Sequence, residues 1–193
     1  MKEHIKKPFL EIFMALDLEL NQNETGAKII QIGAVVGNIT TGEILETLSL
    51  YINPHEELKP FIINLTGITQ EMVDSGLTLE NAYSQLKEAH ERHKCFINPV
   101  TWGQGDVEAL HRQLRSENPT FQNFTFGRRI IDIKTLFVSW RIANREQIQG
   151  GLARSLTKLG LRFEGRKHSA ESDALNTFIL FKSMLGLLRS KNG

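Results

Sequence analysis

The sequence predicts an α/β domain with a mixed five-stranded sheet flanked by helices. Three apolar, β-branched runs open the chain, and from residue 76 onward short apolar runs alternate with segments of helical spacing. An initial meander followed by alternating strands and helices is typical of α/β domains with mixed sheets. No repeat, low-complexity segment or linker divides the 193 residues, so we expect a single domain over 1–193 with its core at about 9–189.

The predicted meander occupies the first quarter of the chain. FLEIFMALDLEL (9–20) is almost entirely apolar until Asp17, as expected for a buried strand. Residues 27–54 read as two further strands joined by a turn at Asn38–Gly42, with β-branched residues and alternation on both sides.

The remaining elements alternate. Apolar residues at helical spacing predict a helix over 76–93, and a short strand over 95–102 follows. A glycine-rich turn (GQGD) then leads into a predicted helix over 106–117. We also expect a strand running into a helix over 128–142, a short amphipathic helix over 151–161 and a closing helix over 169–189.

Composition favours a cytoplasmic globular protein. The hydrophobic fraction is 40%, the charged fraction is 23% and the net charge is +1, so no basic field over the whole chain indicates a polyanionic partner. The single Cys95 cannot form an internal disulfide, and the charged first seven residues do not resemble a signal peptide. No apolar run approaches the roughly 18 residues of a membrane span, so we expect no membrane association.

The first strand ends in two acidic residues. Asp17 and Glu19 are two positions apart, so both point to one face of the strand, after Phe13 and Ala15. Paired carboxylates in a partly buried place resist ionisation unless a cation neutralises them, and carboxylate oxygens suit Mg²⁺ or Mn²⁺. The alternative is a strand that emerges into solvent.

A third acid, Asp106, follows the glycine turn and opens a helix. Helix capping would explain both the aspartate and the glycines, because aspartate is a favoured N-cap residue. Position 109 is alanine, however, so the reciprocal Glu or Gln of a capping box is missing.

The segment RKHSAESDALN (166–176) combines His168 with Asp173 at the start of the last helix. Positions five apart on a continuous helix are about 140° apart. The two side chains therefore converge more easily if His168 lies on the preceding loop and Asp173 in the first turns of the helix. Histidine is a common general base near neutral pH, and a capping role for both residues is the alternative.

Taken together, these residues occur in the order that a four-carboxylate, two-metal nuclease requires. Two acids lie on the first strand, one lies at a turn in mid-chain, and His-x4-Asp opens the last helix. Four acids holding two cations can clamp the attacking and leaving oxygens of a phosphodiester.

The chain resembles the DEDDh branch of the DnaQ-like 3′-5′ exonucleases, which have the ribonuclease H-like exonuclease fold. The resemblance covers about 9–189 and is carried by Asp17-Leu-Glu19, by WGQGD ending at Asp106, and by His168 through Asp173. IIQIGAVV (29–36) and LTGITQEMVDSG (65–76) are similar to the family's second strand and to the loop after its third strand. The pattern is closest to the enhanced-RNAi and histone-mRNA 3′-exonuclease subgroup and its bacterial relatives.

The resemblance implies a metal-dependent exonuclease acting on 3′ ends of single-stranded RNA or DNA. Asp17, Glu19, Asp106 and Asp173 would hold two divalent cations, Mg²⁺ or Mn²⁺, and His168 would deprotonate the attacking water. A nucleoside 5′-monophosphate would be released. Asp132, in a polar-apolar alternation, reads as structural rather than as a fifth ligand.

Substrate contacts are expected, by resemblance, at the residue after the second acid and in the LTGI segment: Leu20, Leu65, Thr66, Gly67 and Ile68. Trp102 adds an aromatic surface, and Arg166 and Lys167 give a basic run before His168 that could meet phosphate. Core packing explains Leu65, Ile68 and Trp102 equally simply, and a solvated loop explains the basic run. Two positions depart from the family pattern, which usually has Thr or Ala at Leu20 and often an aromatic residue at Gly105.

Two other functions remain compatible with the sequence. The fold could serve a regulatory or adaptor protein that binds nucleic acid or a partner without hydrolysis, although such a protein would be free to lose one of the five residues. A proofreading subunit beside a polymerase ranks last, because the sequence shows no obvious clamp-binding segment or long C-terminal tail. Some relatives dimerise, so the sequence leaves a homodimer open, and it does not separate RNA from DNA.

Overall fold

The computed structural model describes residues 10–23, 26–121, 129–147 and 150–190, with the side chains of Asn23 and Ser190 left aside. One sheet contains β1 (Ile12–Asn23), β2 (Gly26–Asn38), β3 (Ile44–Tyr51), β4 (Val100–Thr101) and β5 (Ile131–Asp132). Its strand order is β3-β2-β1-β4-β5. The first three strands are antiparallel neighbours, whereas β4 runs parallel to β1 and β5 parallel to β4. The predicted mixed five-stranded sheet is confirmed.

Seven helices complete the described part of the chain. They are α1 (Pro60–Thr66), α2 (Gln70–Asp74), α3 (Leu79–Arg92), α4 (Asp106–Glu117), α5 (Ile133–Ala143), α6 (Leu152–Lys158) and α7 (Ala170–Ser190). The predicted helix over 106–117 coincides with α4, and those over 76–93, 151–161 and 169–189 correspond to α3, α6 and α7. None of the described helices is long and apolar enough to cross a bilayer.

Alternation along β1 sorts its side chains between two layers. Met14, Leu16 and Leu18 face a core formed with α3 and α4. Phe13 and Ala15 face a second core formed with α5, α6 and α7. Because successive side chains of a strand point to opposite faces, the odd-numbered Asp17 and Glu19 continue the row that faces α7.

Three elements differ from the sequence-based expectation. The helices α1 and α2 were not predicted, and residues 65–76, expected as a loop, contain the end of α1 and all of α2. Pro60 at the first turn of α1 and the left-handed Gly67 that caps its end are the local signals that were overlooked. The strand expected over 95–102 is only Val100–Thr101, because Pro99 has no N–H for a ladder bond.

Two predicted boundaries fall on residues that the structure does not describe. The first strand was expected to begin at Phe9, and the segment entering β5 was expected to begin at Arg128. Both positions lie outside the described residues. The turn between β2 and β3 is as predicted, with the Gly42 N–H donating to the Asn38 carbonyl at 2.7 Å.

Candidate active site

The acidic residues approach one another at one edge of the sheet. The parallel strands β1 and β4 are in register at Ala15 and Val100, so the carboxyl end of β4 lies beside the middle of β1. Asp17 and Glu19 follow on β1, and Asp106 follows the turn after β4. On the other side of β1, the antiparallel strand β2 pairs Gly33 with Asp17 and Gln31 with Glu19. The β1–β2 register then shifts between Glu19 and Leu20.

Asp17 and Glu19 are half-buried beneath the start of α7, so β1 does not emerge into solvent at these residues. Burial raises the pKa of Asp17 well above its usual range, and the charges of Asp106, Asp173 and Glu19 raise it further. Burial, then the charges of Asp173 and Asp106, raises the pKa of Glu19 to about 7. Burial and the charges of neighbouring acids therefore disfavour the ionised forms of Asp17 and Glu19, which is the condition that favours a bound cation.

Asp106 is the first residue of α4 and does not cap it. The N-cap residue is Gly105, whose φ of 123° lies where side chains are disfavoured, and no side chain makes the cap hydrogen bond. The capping explanation of Asp106 is therefore wrong. Burial raises the pKa of the Asp106 carboxyl to about 6.

Asp132 shapes the turn that carries Asp106. Its Oδ1 accepts hydrogen bonds from the Gly103 N–H and from the Thr135 N–H, both at 3.1 Å, and Oδ2 accepts from the Thr135 hydroxyl at 2.6 Å. Asp132 thereby caps α5 and ties the glycine turn to β5. These contacts give Asp132 the structural role that the sequence indicated.

Two residues of β2 hold the start of α7 close to the acids. A Cβ atom at Gly33 would overlap the backbone of Ala170 and Glu171, so only glycine lets the first turn of α7 lie this close to the strand. Beside it, the buried Gln31 side chain accepts a hydrogen bond from the Ala170 N–H at 3.0 Å. The Gln31 amide donates to the Ser49 hydroxyl at 3.0 Å, which fixes its orientation from β3.

His168 and Asp173 divide between loop and helix as predicted. Asp173 lies in the first turns of α7, and its Oδ2 accepts the His168 backbone N–H at 3.1 Å. His168 has φ 59°, a left-handed conformation that is uncommon for residues other than glycine. Burial raises the pKa of Asp173, against the lowering effect of this hydrogen bond and of His168 itself.

The cluster suits a divalent cation. Ligand atoms of Glu19, His168 and Asp173 all lie within 4.8 Å of one another. Asp17 and Asp106 couple electrostatically to the same group. Carboxylate oxygens with mutually raised pKa values form the donor set that hard divalent cations take. Each of the five residues expected from the sequence is thus brought to one place.

Comparison with known proteins places the chain in a family. The family model named RNase_T and described as "Exonuclease" matches residues 14–181, which include all five residues of the cluster. The chain belongs to the DEDDh exonuclease family.

Individual relatives agree with this assignment. The 3'-5' exonuclease DinG of Bacillus subtilis (strain 168) is 46% identical over 182 residues. ERI1 exoribonuclease 2 of Mus musculus is 30% identical over 182 residues, and 3'-5' exoribonuclease 1 of the same organism is 29% identical over 174. The alignments cover 92%, 85% and 85% of this chain but 18%, 26% and 48% of the relatives, so the chain spans less than half of their length.

Solved structures show the same fold. The nuclease domain of 3'hExo, a DEDDh family member bound to rAMP, has a TM-score of 0.80 at 24% identity, covering 93% of this chain and 94% of that one. The cell-death related nuclease 4 has a TM-score of 0.77 at 19% identity, covering 92% of this chain and 64% of that one.

Only two of the residues expected to contact substrate line the cavity beside the acids. Trp102 and Lys167 line a cavity together with Asp17, His168 and Asp173. Trp102 is half-buried and also packs near Phe137, so its core and cavity roles coexist.

The LTGI segment contributes less side-chain surface than expected. The Thr66 hydroxyl is buried and donates to the Ile62 carbonyl at 2.8 Å, and Ile68 is only 2% exposed in a small core with α1 and α2. Leu65 is half-buried. Gly67 instead meets Arg166, whose guanidinium occupies the space where a Cβ would lie.

Leu20 lies in the other layer. It packs with Ala109 in the core of α3 and α4, and it lines a separate cavity of about 400 Å³ with Arg112 and Lys28. As the residue after Glu19, Leu20 points to the opposite face of β1 from the acids, together with Leu16 and Leu18.

Sequence reasoning missed four residues around the site: Gln31, Gly33, Phe163 and Arg154. Gln31 and Gly33 lie in the IIQIGAVV run, where one polar residue and one glycine interrupt a buried strand, and that interruption was the available signal. Phe163 and Arg154 line the cavity beside His168 but carry no local pattern that separates them from other residues of their segments.

Proposed function

We propose that this chain is a metal-dependent 3′-5′ exonuclease that hydrolyses the terminal phosphodiester of single-stranded RNA or DNA and releases nucleoside 5′-monophosphates. The observation that carries the proposal is the convergence of Asp17, Glu19, Asp106, Asp173 and His168 beside the middle of β1 and the carboxyl end of β4. A protein that only bound nucleic acid would need no such cluster of four mutually repelling carboxylates. The relatives described above, two exoribonucleases and an exonuclease, support this activity.

Two divalent cations, Mg²⁺ or Mn²⁺, would be held by the carboxylates of Asp17, Glu19, Asp106 and Asp173. All three other acids raise the pKa of Asp17, after burial, which supports its place among the ligands. When bound, such ions stabilise the negative charge that develops on the phosphodiester.

His168 acts as the general base. A ring nitrogen of His168 accepts a proton from the attacking water as the new oxygen–phosphorus bond forms. The bond from phosphorus to the 3′-oxygen of the penultimate nucleotide breaks, and that oxygen takes up a proton from solvent water. The hydrogen bond from the His168 backbone N–H to Asp173 Oδ2 holds the residue beside the carboxylates.

We further propose that residues 1–193 form a single exonuclease domain, that the protein is cytoplasmic and that it acts without a polymerase partner. Both a monomer and a homodimer are compatible with this proposal. Substrate contacts are proposed for Trp102 and Lys167, which line the cavity beside the acids.

A digestion series tests the function. RNA, single-stranded DNA and duplex oligonucleotides labelled at the 5′ end are incubated with Mg²⁺, Mn²⁺ or EDTA, each with a 3′-hydroxyl or a 3′-phosphate. We expect metal-dependent shortening from a free 3′-hydroxyl end, with release of mononucleotides and preference for single strands. Binding of these oligonucleotides without metal-dependent hydrolysis of any of them would overturn the proposal in favour of the adaptor.

A further inference from the structure

A cavity of about 420 Å³ opens beside the acids, between α6 and the loop that leads to α7. Its lining includes three residues of the acidic cluster and two basic residues: Asp17, His168, Asp173, Arg154 and Lys167. Trp102 and Phe163 contribute aromatic surface, and its volume is in the range of pockets that hold small ligands.

We propose that this cavity is a subsite for the nucleotide on the 5′ side of the scissile bond, and that Arg154 binds the phosphate of that nucleotide. The proposal rests on the exonuclease function proposed above. It extends that function by naming a second phosphate and the side chain that recognises it.

The stem of Arg154 lies close to Gly150. An added Cβ at Gly150, whose φ is 132°, would be 2.9 Å from the Arg154 Cβ and 3.3 Å from its Cδ. The missing side chain at Gly150 leaves the room that the arginine stem occupies, and Arg154 also lines the cavity.

Charge supports an anionic ligand. Within the described residues, Arg154 and Lys167 form no salt bridge, although both share the cavity with Asp17 and Asp173. The contrast is Lys158, one turn farther along α6, which pairs with Glu146 at 2.9 Å. Two cations that face a cavity without a protein partner are suited to bind a phosphodiester.

The direction of the strand follows from its chemistry. A 3′-terminal nucleoside carries no phosphate other than the scissile one, and the scissile phosphate must lie at the acids and His168. A further phosphate can therefore lie only on the 5′ side. The sugar and base of that nucleotide would contact Trp102 and Phe163, and stacking of this kind tolerates every base.

Trinucleotides test the assignment. Their 3′ linkage is an ordinary phosphodiester and is the scissile bond, whereas their 5′ linkage is either a phosphodiester or an uncharged methylphosphonate. The sugar type is the one hydrolysed faster in the digestion series. The readout is the ratio of kcat/KM for the charged over the uncharged substrate in wild type, Arg154→Ala, Arg154→Lys and the control Lys158→Ala.

We expect a ratio of about ten or more in wild type, the effect of one charge-assisted hydrogen bond. The ratio should fall toward one in Arg154→Ala, stay largely intact in Arg154→Lys and equal that of wild type in Lys158→Ala. An unchanged ratio in Arg154→Ala would overturn the proposal. A fall of kcat/KM by the same factor for both substrates would do so as well, since it would place Arg154 on the scissile or product phosphate. Failure of wild type to hydrolyse any oligonucleotide would instead refute the exonuclease function itself.

Discussion

Gly33 on β2 lies directly against the backbone of Ala170, the first residue of α7, where a Cβ would have no room. Because Gly33 also pairs with Asp17 across the β1–β2 ladder, this contact places the start of α7 over the acids of β1. The position of Asp173 therefore depends on a missing side chain on a neighbouring strand.

We predict that Gly33→Ala damages both stability and activity. The methyl group must push α7 away from β2, and overpacking of this kind costs about 1–3 kcal/mol of unfolding free energy. Urea unfolding and kcat are the measurements. Gly186→Ala is the matched control, because Gly186 lies in α7 with nothing near its Cβ position, and alanine there should be neutral or stabilising. Wild-type kcat in Gly33→Ala would contradict this role for the contact.

Gln31→Leu should lower kcat by more than its loss of stability explains. The Ala170 N–H would lose its buried acceptor, which costs about 1–3 kcal/mol, and the first turn of α7 would lose its anchor. Gln113→Leu is the comparison, since Gln113 accepts the Ile29 N–H at 2.9 Å in the other layer, far from α7. We expect Gln113→Leu to lose a similar amount of stability but to show a much smaller fall in kcat. Equal falls in kcat in the two variants would argue against a positioning role for Gln31.

His168→Asn should remove the base while preserving its turn. Asparagine tolerates the left-handed conformation of His168, so the hydrogen bond to Asp173 and the fold should persist. We expect kcat to fall by about 10²–10⁴-fold, the usual contribution of a general base, with Mn²⁺ affinity changed little in calorimetric titrations. A loss of metal affinity as large as that of an acid variant would make His168 a ligand, which its proximity to Glu19 and Asp173 also permits.

Asp173→Asn should lose metal affinity with little change in fold. The amide oxygen can still accept the His168 N–H, so the variant removes a charge and keeps the hydrogen bond. Calorimetric titration with Mn²⁺ should show a loss of about tenfold or more, as one anionic ligand becomes neutral. Affinity equal to that of wild type would remove Asp173 from the ligand set.

The metal-free protein should lose stability as pH rises through the neutral range. The pKa of Glu19 is raised from 4.5 to about 7, and that of Asp106 from 3.8 to about 6. Between these values the native state holds protons that the unfolded chain has released, so the unfolding free energy falls with increasing pH. Thermal unfolding in EDTA from pH 4.5 to 8 should show the decline, and saturating Mn²⁺ should reduce it.

Glu19→Gln provides the control for that pH dependence. The variant lacks one of the carboxyls whose pKa is raised, so its decline should be shallower than that of wild type. If metal-free wild type gained stability from pH 4.5 to 8, the raised pKa values of these buried carboxyls would not be the dominant effect.

The sequence predicted the cluster because its acids belong to elements with a clear pattern. Asp17 and Glu19 interrupt the apolar run of β1, Asp106 is the first residue of α4, and Asp173 lies in the first turn of α7. The short helices α1 and α2 were not predicted from the sequence, because five to seven residues are too few for helical periodicity to appear.

Positions fixed by contacts between distant segments could not be predicted in the same way. The role of Gln31 depends on Ala170, 139 positions away, and the direction of Arg154 depends on how α6 packs beside the His168 loop. Likewise, the Arg166 guanidinium occupies the space that a Cβ at Gly67 would take, and the sequence around neither residue predicts this contact.

The most direct test of the account is the first product released by wild type and by Asp17→Asn. The substrate is a single-stranded oligonucleotide whose 3′-terminal nucleoside differs from all the others, digested in a single turnover with Mn²⁺ or with EDTA. We predict that wild type with Mn²⁺ releases the 5′-monophosphate of that nucleoside first, and that Asp17→Asn or EDTA abolishes the release. Release of an internal or 5′-terminal fragment first, or equal release by Asp17→Asn, would contradict the assignment of these acids to a 3′-5′ exonuclease site.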